Sequence, residues 1–263
     1  MVNVNDLAIT SLETITAFDI TTGDFLFILD ELQNATIANS QETVDITGKN
    51  GRKISTLKRN KAVTVSGSNG LVSAGLLEQQ TGGTFENTTA TVLWIDYLTV
   101  SSDAATTTYT AVGTDGAEIE ELYIKNTDGT LATELEQGTE ASDGVFTYDP
   151  DTKALTFSGV DDDTEIVVYY KRKISADVLE NSSENYSKKC VLYIDALAED
   201  VCSNVYRVQF YIPKADFSGE FSLELSDSQT VHDFEAEALA GTCGAGGILW
   251  TYTVFGNTAE DAE

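Results

Sequence analysis

The side chains able to do covalent chemistry are few. The chain has one histidine, His232, and three cysteines, Cys190, Cys202 and Cys243. Nucleophilic catalysis needs a nucleophile held against a base that a third group orients. His232 sits beside Asp233 at the start of a segment that reads as a helix, where a capping or solvated role is the simpler assignment. A cysteine nucleophile would have to share that same imidazole. An odd cysteine count without CxxC spacing fits reduced thiols better than a disulfide scaffold. For a metal, the candidate ligands are Asp161-Asp162-Asp163 and the pair Asp149 and Asp151. Neither has the glycine step and closing bidentate glutamate of a calcium loop, so a solvated loop and a hairpin turn are expected. The glycine-rich run Gly241–Gly247 follows a helix-like segment and precedes a strand. A dinucleotide fingerprint needs strand, glycines and helix in that order, so the run reads as a helix cap and connector. With 43 acids in the chain, no carboxylate pair stands out as a glycosidase pair. These residues point away from an enzyme, and neither a cofactor nor a metal is expected.

The chain of 263 residues carries 15 basic residues against 43 acids, a net charge of −28. Such a surface repels nucleic-acid phosphates. The charge is unevenly spread. Asp103–Glu165 holds sixteen acids and two bases, Lys125 and Lys153. By contrast Lys49, Arg52, Lys53, Lys58, Arg59 and Lys61 place six of the basic residues within thirteen positions. That basic segment lacks the aromatic residues that stack on bases. A self-association patch facing an acidic neighbouring copy and a solvated basic hairpin both fit it. The N-terminus has neither the basic nor the apolar region of a signal peptide, and no run approaches the about 18 apolar residues of a membrane span.

The elements that would position these residues are mostly strands. Short β-type runs recur along the chain, among them Asp24–Leu29, Thr91–Val100, Glu165–Tyr170 and Val205–Ile212. In Phe221–Leu225 the apolar residues alternate with Ser222 and Glu224. Asp128-Gly129 suits a tight hairpin, and Pro150 sits where its fixed φ fits a type I turn. Helical signals are limited to 232–240, where Phe234, Ala238 and Leu239 share one side before Gly241, and to Leu71–Gln80, ended by Gly82-Gly83. Glu31–Asn39 is ambiguous. The fold class is mainly β, a sandwich or barrel with one or two short helices. The charge pattern suggests residues 1–99 and 174–263 as one β domain interrupted by an acidic β-rich insertion at 100–173. One continuous domain with acidic loops is the alternative.

Phe18–Gly23, Val44–Ile54 and Asn60–Gly67 in the N-terminal quarter, and Gly219–Leu225, Phe234–Leu239 and Leu249–Phe255 near the C-terminus, resemble structural proteins of tailed bacteriophages, among them the tail tube (major tail) family. The resemblance implies a β-sandwich with a packed helix whose copies join sheets into hexameric rings. The rings stack into a tube through which DNA passes without specific binding. It implies partners that are copies of the same chain and other tail or virion proteins, with no membrane, and a place in the virion tail after assembly in the host cytoplasm. A long loop reaching neighbouring subunits is usual in the family, and Gly48–Lys61 is the segment that would supply it. Three other readings remain open at this point. They are a capsid component or decoration protein, a monomeric carbohydrate-binding or adhesin-like module displaying Trp94, Trp250 and tyrosines, and an acidic glycosidase-like enzyme.

Overall fold

The computed structural model describes residues 6–224, 231–240 and 247–256. The N-terminal part forms β1 (Leu7–Asp19), β2 (Phe25–Leu29), β3 (Leu32–Thr47), β4 (Lys53–Asn69) and helix α1 (Ala74–Thr81). The middle forms β5 (Glu86–Thr99), β6 (Ala104–Thr106), β7 (Ile119–Lys125), β8 (Leu131–Gln137), β9 (Val145–Asp149), β10 (Ala154–Thr156) and β11 (Glu165–Val178). The C-terminal part forms β12 (Lys189–Asp200), β13 (Val205–Phe217), β14 (Leu223–Glu224), β15 (Val231–Ala238) and β16 (Thr251–Gly256). The protein is mainly β, with two sheets, one of them a curled half-barrel.

The chain divides into two compact units, one of residues 1–85 and 179–263 and the other of residues 86–178. The division falls where it does because β5 and β11 pair without a break, from Thr99↔Glu165 to Glu86↔Val178. The composition shift at 100–173 marks where the acids lie, whereas the ladder carries the second unit outward to residues 86 and 178.

In the first unit the strand order is β2-β1-β12-β13-β15-β4-β3, with β14 on β15 and β16 on β13. Alternate residues of the central strands point into one core. Ile15 and Ala17 of β1, Leu192 and Ile194 of β12, and Val63 and Val65 of β4 meet there with Ile212, Phe217 and Phe234. Helix α1 contributes Leu76, fully buried in the same core. The Ser73 hydroxyl accepts from the Leu76 N–H at its start (3.4 Å). Gly82 closes the helix at φ 77°, and its N–H donates to the Glu78 carbonyl at 3.0 Å. This is the helix expected from Leu71–Gln80 and its glycines.

The segment 232–240 is not a helix. It is β15, bonded to β4 through Glu237↔Thr64 to His232↔Asn69 and to β13 through Ala215↔Ala238. The pair Phe234 and Ala238 fits a helical spacing of four, but His232, Phe234, Ala236 and Ala238 also alternate with Asp233, Glu235 and Glu237. The first set is buried and the second exposed. Two neighbouring strands supply backbone partners on both sides, and that ladder overrides local helix propensity. Of the ambiguous segment Glu31–Asn39, all but Glu31 lies in β3.

The second unit has strand order β5-β11-β7-β8-β9-β10-β6. The Asn126–Gly129 turn joins β7 to β8 with Gly129 at φ 85°, and the Pro150 turn joins β9 to β10. Leu122, Phe146, Leu155, Ile166 and Val168 form its core. Beside them lies a buried carboxylate, Asp96. It accepts from Trp94 Nε1 (3.0 Å), the Thr108 N–H (2.7 Å), the Thr108 hydroxyl (2.9 Å) and the Tyr170 hydroxyl (2.7 Å). Burial pushes the Asp96 carboxyl up, but these four donors outweigh it and hold it below the ordinary carboxylate range. The Arg172 guanidinium caps the arrangement, 3.4 Å from the Tyr109 ring and 5.0 Å from the Trp94 ring. Asp96 thereby fastens the 107–109 segment to the sheet. Replacing Asp96 with Ala leaves those donors without their acceptor and should cost about 2–4 kcal/mol. Urea unfolding of Asp96→Ala followed by tryptophan fluorescence checks this, with an unchanged midpoint contradicting it.

Candidate functional site

The six basic residues singled out from the sequence all lie on one structure, the outer half of the β3–β4 hairpin. The two strands pair from Leu32↔Asn69 to Thr47↔Lys53. Their inner halves belong to the sheet, because β4 from Thr64 to Asn69 also bonds β15. Beyond Val63 the recorded strand partner of β4 is β3, and the hairpin continues as a two-stranded arm. From Ala38 to Lys61 every residue is exposed except the half-buried Val44 and Gly48. Asn50 (φ 66°) and Gly51 (φ 72°) make the tip, a left-handed pair that asparagine and glycine adopt most easily. Ile54 lies against Gly48, where a β-carbon would collide with it.

The cations of the arm fall into two sets. Arg59 holds Glu42 through Nε (3.3 Å) and Nη2 (3.0 Å), and Lys53 meets Asp45 at 2.6 Å. The Arg59 guanidinium, with Asn60 beside it, draws the Glu42 carboxyl below its ordinary range. These two pairs link β3 to β4 across the arm. Lys49, Arg52, Lys58 and Lys61 make no ion pair among the described residues. The arm is therefore a cationic surface on a strongly anionic chain.

Its apolar side chains were not picked out by charge. Val44 stands opposite Leu57, and Ile46 lies two residues along on the same face. Leu57 is 52% exposed and Ile46 49%. The alternation Val44-x-Ile46 was the available signal, but six nearby cations masked it. Isolated two-stranded hairpins are marginal in water. In the single chain Ile46 and Leu57 remain exposed beside the half-buried Val44.

The residues weighed for catalysis and metal binding occupy structural places. The His232 ring is fully buried. Its Nδ1 accepts from the Ser73 N–H (3.3 Å) and its Nε2 lies 2.8 Å from Gln80 Oε1, an arrangement that suits the tautomer with the proton on Nε2. It ties β15 to the start and end of α1. Cys190 is fully buried, and burial pushes its thiol up to about 12, so it is inert as a nucleophile. Cys202 is exposed in the β12–β13 turn. Asp149 accepts from the Asp151 N–H and the Thr152 hydroxyl in a hairpin turn, and Asp162 accepts from the Ser102 N–H. Among the described residues no three His, Cys, Asp or Glu side chains come together as a metal site. Likewise no helix among them is long and apolar enough to cross a membrane. Cys243 and the glycine-rich run up to residue 246 lie outside the described residues.

The chain is β-rich and carries an exposed strand arm of opposite charge to the chain as a whole. A model described as the YomU/Tube protein family matches residues 7–248, and the chain belongs to that family. The family is of the phage tail-tube type, whose members are structural proteins of the virion tail that assemble with themselves and with other virion proteins. A search of curated proteins finds no match.

The buried imidazole makes stability depend on pH. Burial lowers the His232 pKa from its ordinary 6.5, with Asp233 opposing weakly. The stabilising neutral form is fully populated above that ordinary value. Stability is lost as pH falls from about 6.5 toward the folded pKa, because the unfolded chain takes up the proton first. With a single histidine, no other side chain ordinarily titrates in this window. The melting temperature should drop between pH 7.5 and pH 5.5, and His232→Asn should flatten that dependence. Parallel slopes for the two proteins would contradict it.

Proposed function

We propose that the chain is the tail tube subunit itself, assembling into hexameric rings that stack into the conduit for DNA. In this reading residues 1–85 and 179–263 build the tube and the β3–β4 arm is a contact between subunits. The unit at 86–178 is an insertion that decorates the outside. The observation that carries the proposal is the arm, a continuous extension of two strands of the sheet bearing a net positive charge, cations without an ion pair among the described residues, and exposed Ile46 and Leu57. A monomer gains nothing from holding such a ribbon in water, whereas a neighbouring copy supplies both an apolar cover and a negative surface. Family membership supports the same conclusion.

The charge of the chain suits the cargo. A surface at −28 offers DNA little attraction, so a polynucleotide can slide along a tube of such subunits without being held. Assembly in the host cytoplasm fits a chain with one buried and one exposed free cysteine among those described.

Two of the arm's free cations give the test. Arg52→Glu with Lys58→Glu leaves the Lys53–Asp45 and Arg59–Glu42 pairs in place. The circular dichroism spectrum should stay unchanged while the assembled fraction, counted as rings and tubes by negative-stain electron microscopy, falls about tenfold, the equivalent of about 1.4 kcal/mol. Normal tubes from the double variant would remove the arm from the interface. If the wild-type chain forms no rings or tubes even with tail initiator proteins added, the tube proposal fails.

A further inference from the structure

The first unit also carries a groove on the side of its sheet opposite the core. Its floor is Phe18 of β1, Tyr193 of β12 and Tyr211 of β13. These are the strand neighbours of Ala17, Leu192 and Ile212, which point the other way into the core. Phe18 and Tyr193 meet edge to face at 5.7 Å, and Tyr193 and Tyr211 lie 4.9 Å apart. The groove encloses about 710 Å³. Asp19 and Asp195 stand at its sides, Ile20 forms part of its lip, and no lysine or arginine lines it. Three half-buried rings between two carboxylates are the reverse of the arm, which is aliphatic on one face and edged with cations.

We propose that this groove receives the β3–β4 arm of a second copy of the chain. The Val44, Ile46 and Leu57 face lies on the aromatic floor, and the unpaired cations at the tip of the arm, Lys49 and Arg52, meet Asp19 and Asp195. The inference rests on the self-assembly reading and adds the docking site to it. Two arguments select a second copy as the occupant. The first is complementarity in both respects at once. Apolar faces match apolar faces, and a cationic ribbon finds carboxylates with no competing base among the lining residues. The second is topology. In the order β2-β1-β12-β13-β15-β4-β3 the groove strands lie toward one end and the arm strands at the other. Arm and groove are different surfaces, so the contact is head-to-tail. It leaves each copy with one arm and one groove still to satisfy, and copies must close into a ring or continue as a filament. A contact between two arms would stop at a dimer.

Cross-linking reads this contact directly. In a background of Cys202→Ser and Cys243→Ser, with the buried Cys190 retained, Leu57→Cys places a thiol on the arm and Ile20→Cys places one at the groove. Both positions are exposed in the single chain. After assembly and oxidation with diamide, which takes up the two hydrogens of the thiol pair, the doubly substituted chain should give a ladder of covalent multimers on non-reducing gels. Each singly substituted chain should stay monomeric, and so should a control pairing Leu57→Cys with Leu131→Cys. Rings or tubes on the grid without a ladder would overturn the groove as the docking site and leave the tube reading standing. Dimers from Leu57→Cys alone would overturn it in favour of an arm-to-arm contact. If neither the variants nor the wild type form particles with initiator proteins present, the self-assembly reading falls and the inference falls with it.

Discussion

Backbone hydrogen bonding governs how this molecule can end. Each strand must find partners for its N–H and C=O groups, and inside the first unit they are found on both sides of β1, β12, β13, β15 and the inner half of β4. β3 and β4 do not stop where the sheet stops. They continue together for about ten more residues each, satisfying one another on one side, with no further strand partner among the described residues. Val63 and Val65 are fully buried, so the arm is anchored at its root in the core. In the proposed docking, that anchorage lowers the ordering entropy that a loose segment would lose.

Charge separates the parts of the chain. Half of the excess of acid lies between residues 103 and 165, whereas the arm concentrates cations. Within the arm, Glu42 and Asp45 neutralise Arg59 and Lys53 across the strand pair and stiffen it, leaving the other four cations to face outward. Exposed attractions of this kind are weakened by salt, so they set encounter and orientation more than final affinity. In the docking proposed above, the aliphatic face of the arm and the aromatic floor of the groove would supply the apolar contact that charge alone does not.

Much of this was legible in the sequence. The strand pattern, the turns at Gly129 and Pro150 and the α1 stop at Gly82 follow from alternation and from residues with fixed backbone preferences. The cationic segment was visible as a run of charge and a basic hairpin was one reading of it, but its continuity with β3 and β4 of the sheet was not, because the strand partners that end at Thr64 lie far away in sequence. Residues 232–240 misled for a physical reason. Phe234 and Ala238 satisfy a helical period, and the competing partners, β4 and β13, lie about 170 and 20 residues away in sequence. Phe18, Tyr193 and Tyr211 come together only after β1, β12 and β13 pair. No spacing along the chain could announce the groove.

The second unit shows how a domain can be carried without disturbing the sheet that hosts it. Its first and last residues, Glu86 and Val178, are paired neighbours at the end of the β5–β11 ladder. The chain therefore leaves the first unit after Phe85 and returns at Leu179 through two adjacent strands. The host needs only to tolerate two neighbouring chain ends, which is the least demanding geometry for an insertion. The core of each unit is closed by its own residues, and Asp96 and Arg172 lock a segment of the second unit to its own sheet. Self-sufficiency of this kind lets the second unit vary in sequence and charge while β1, β12 and β13 keep the register that creates the groove. In the proposed tube, assembly geometry and surface character could then change separately.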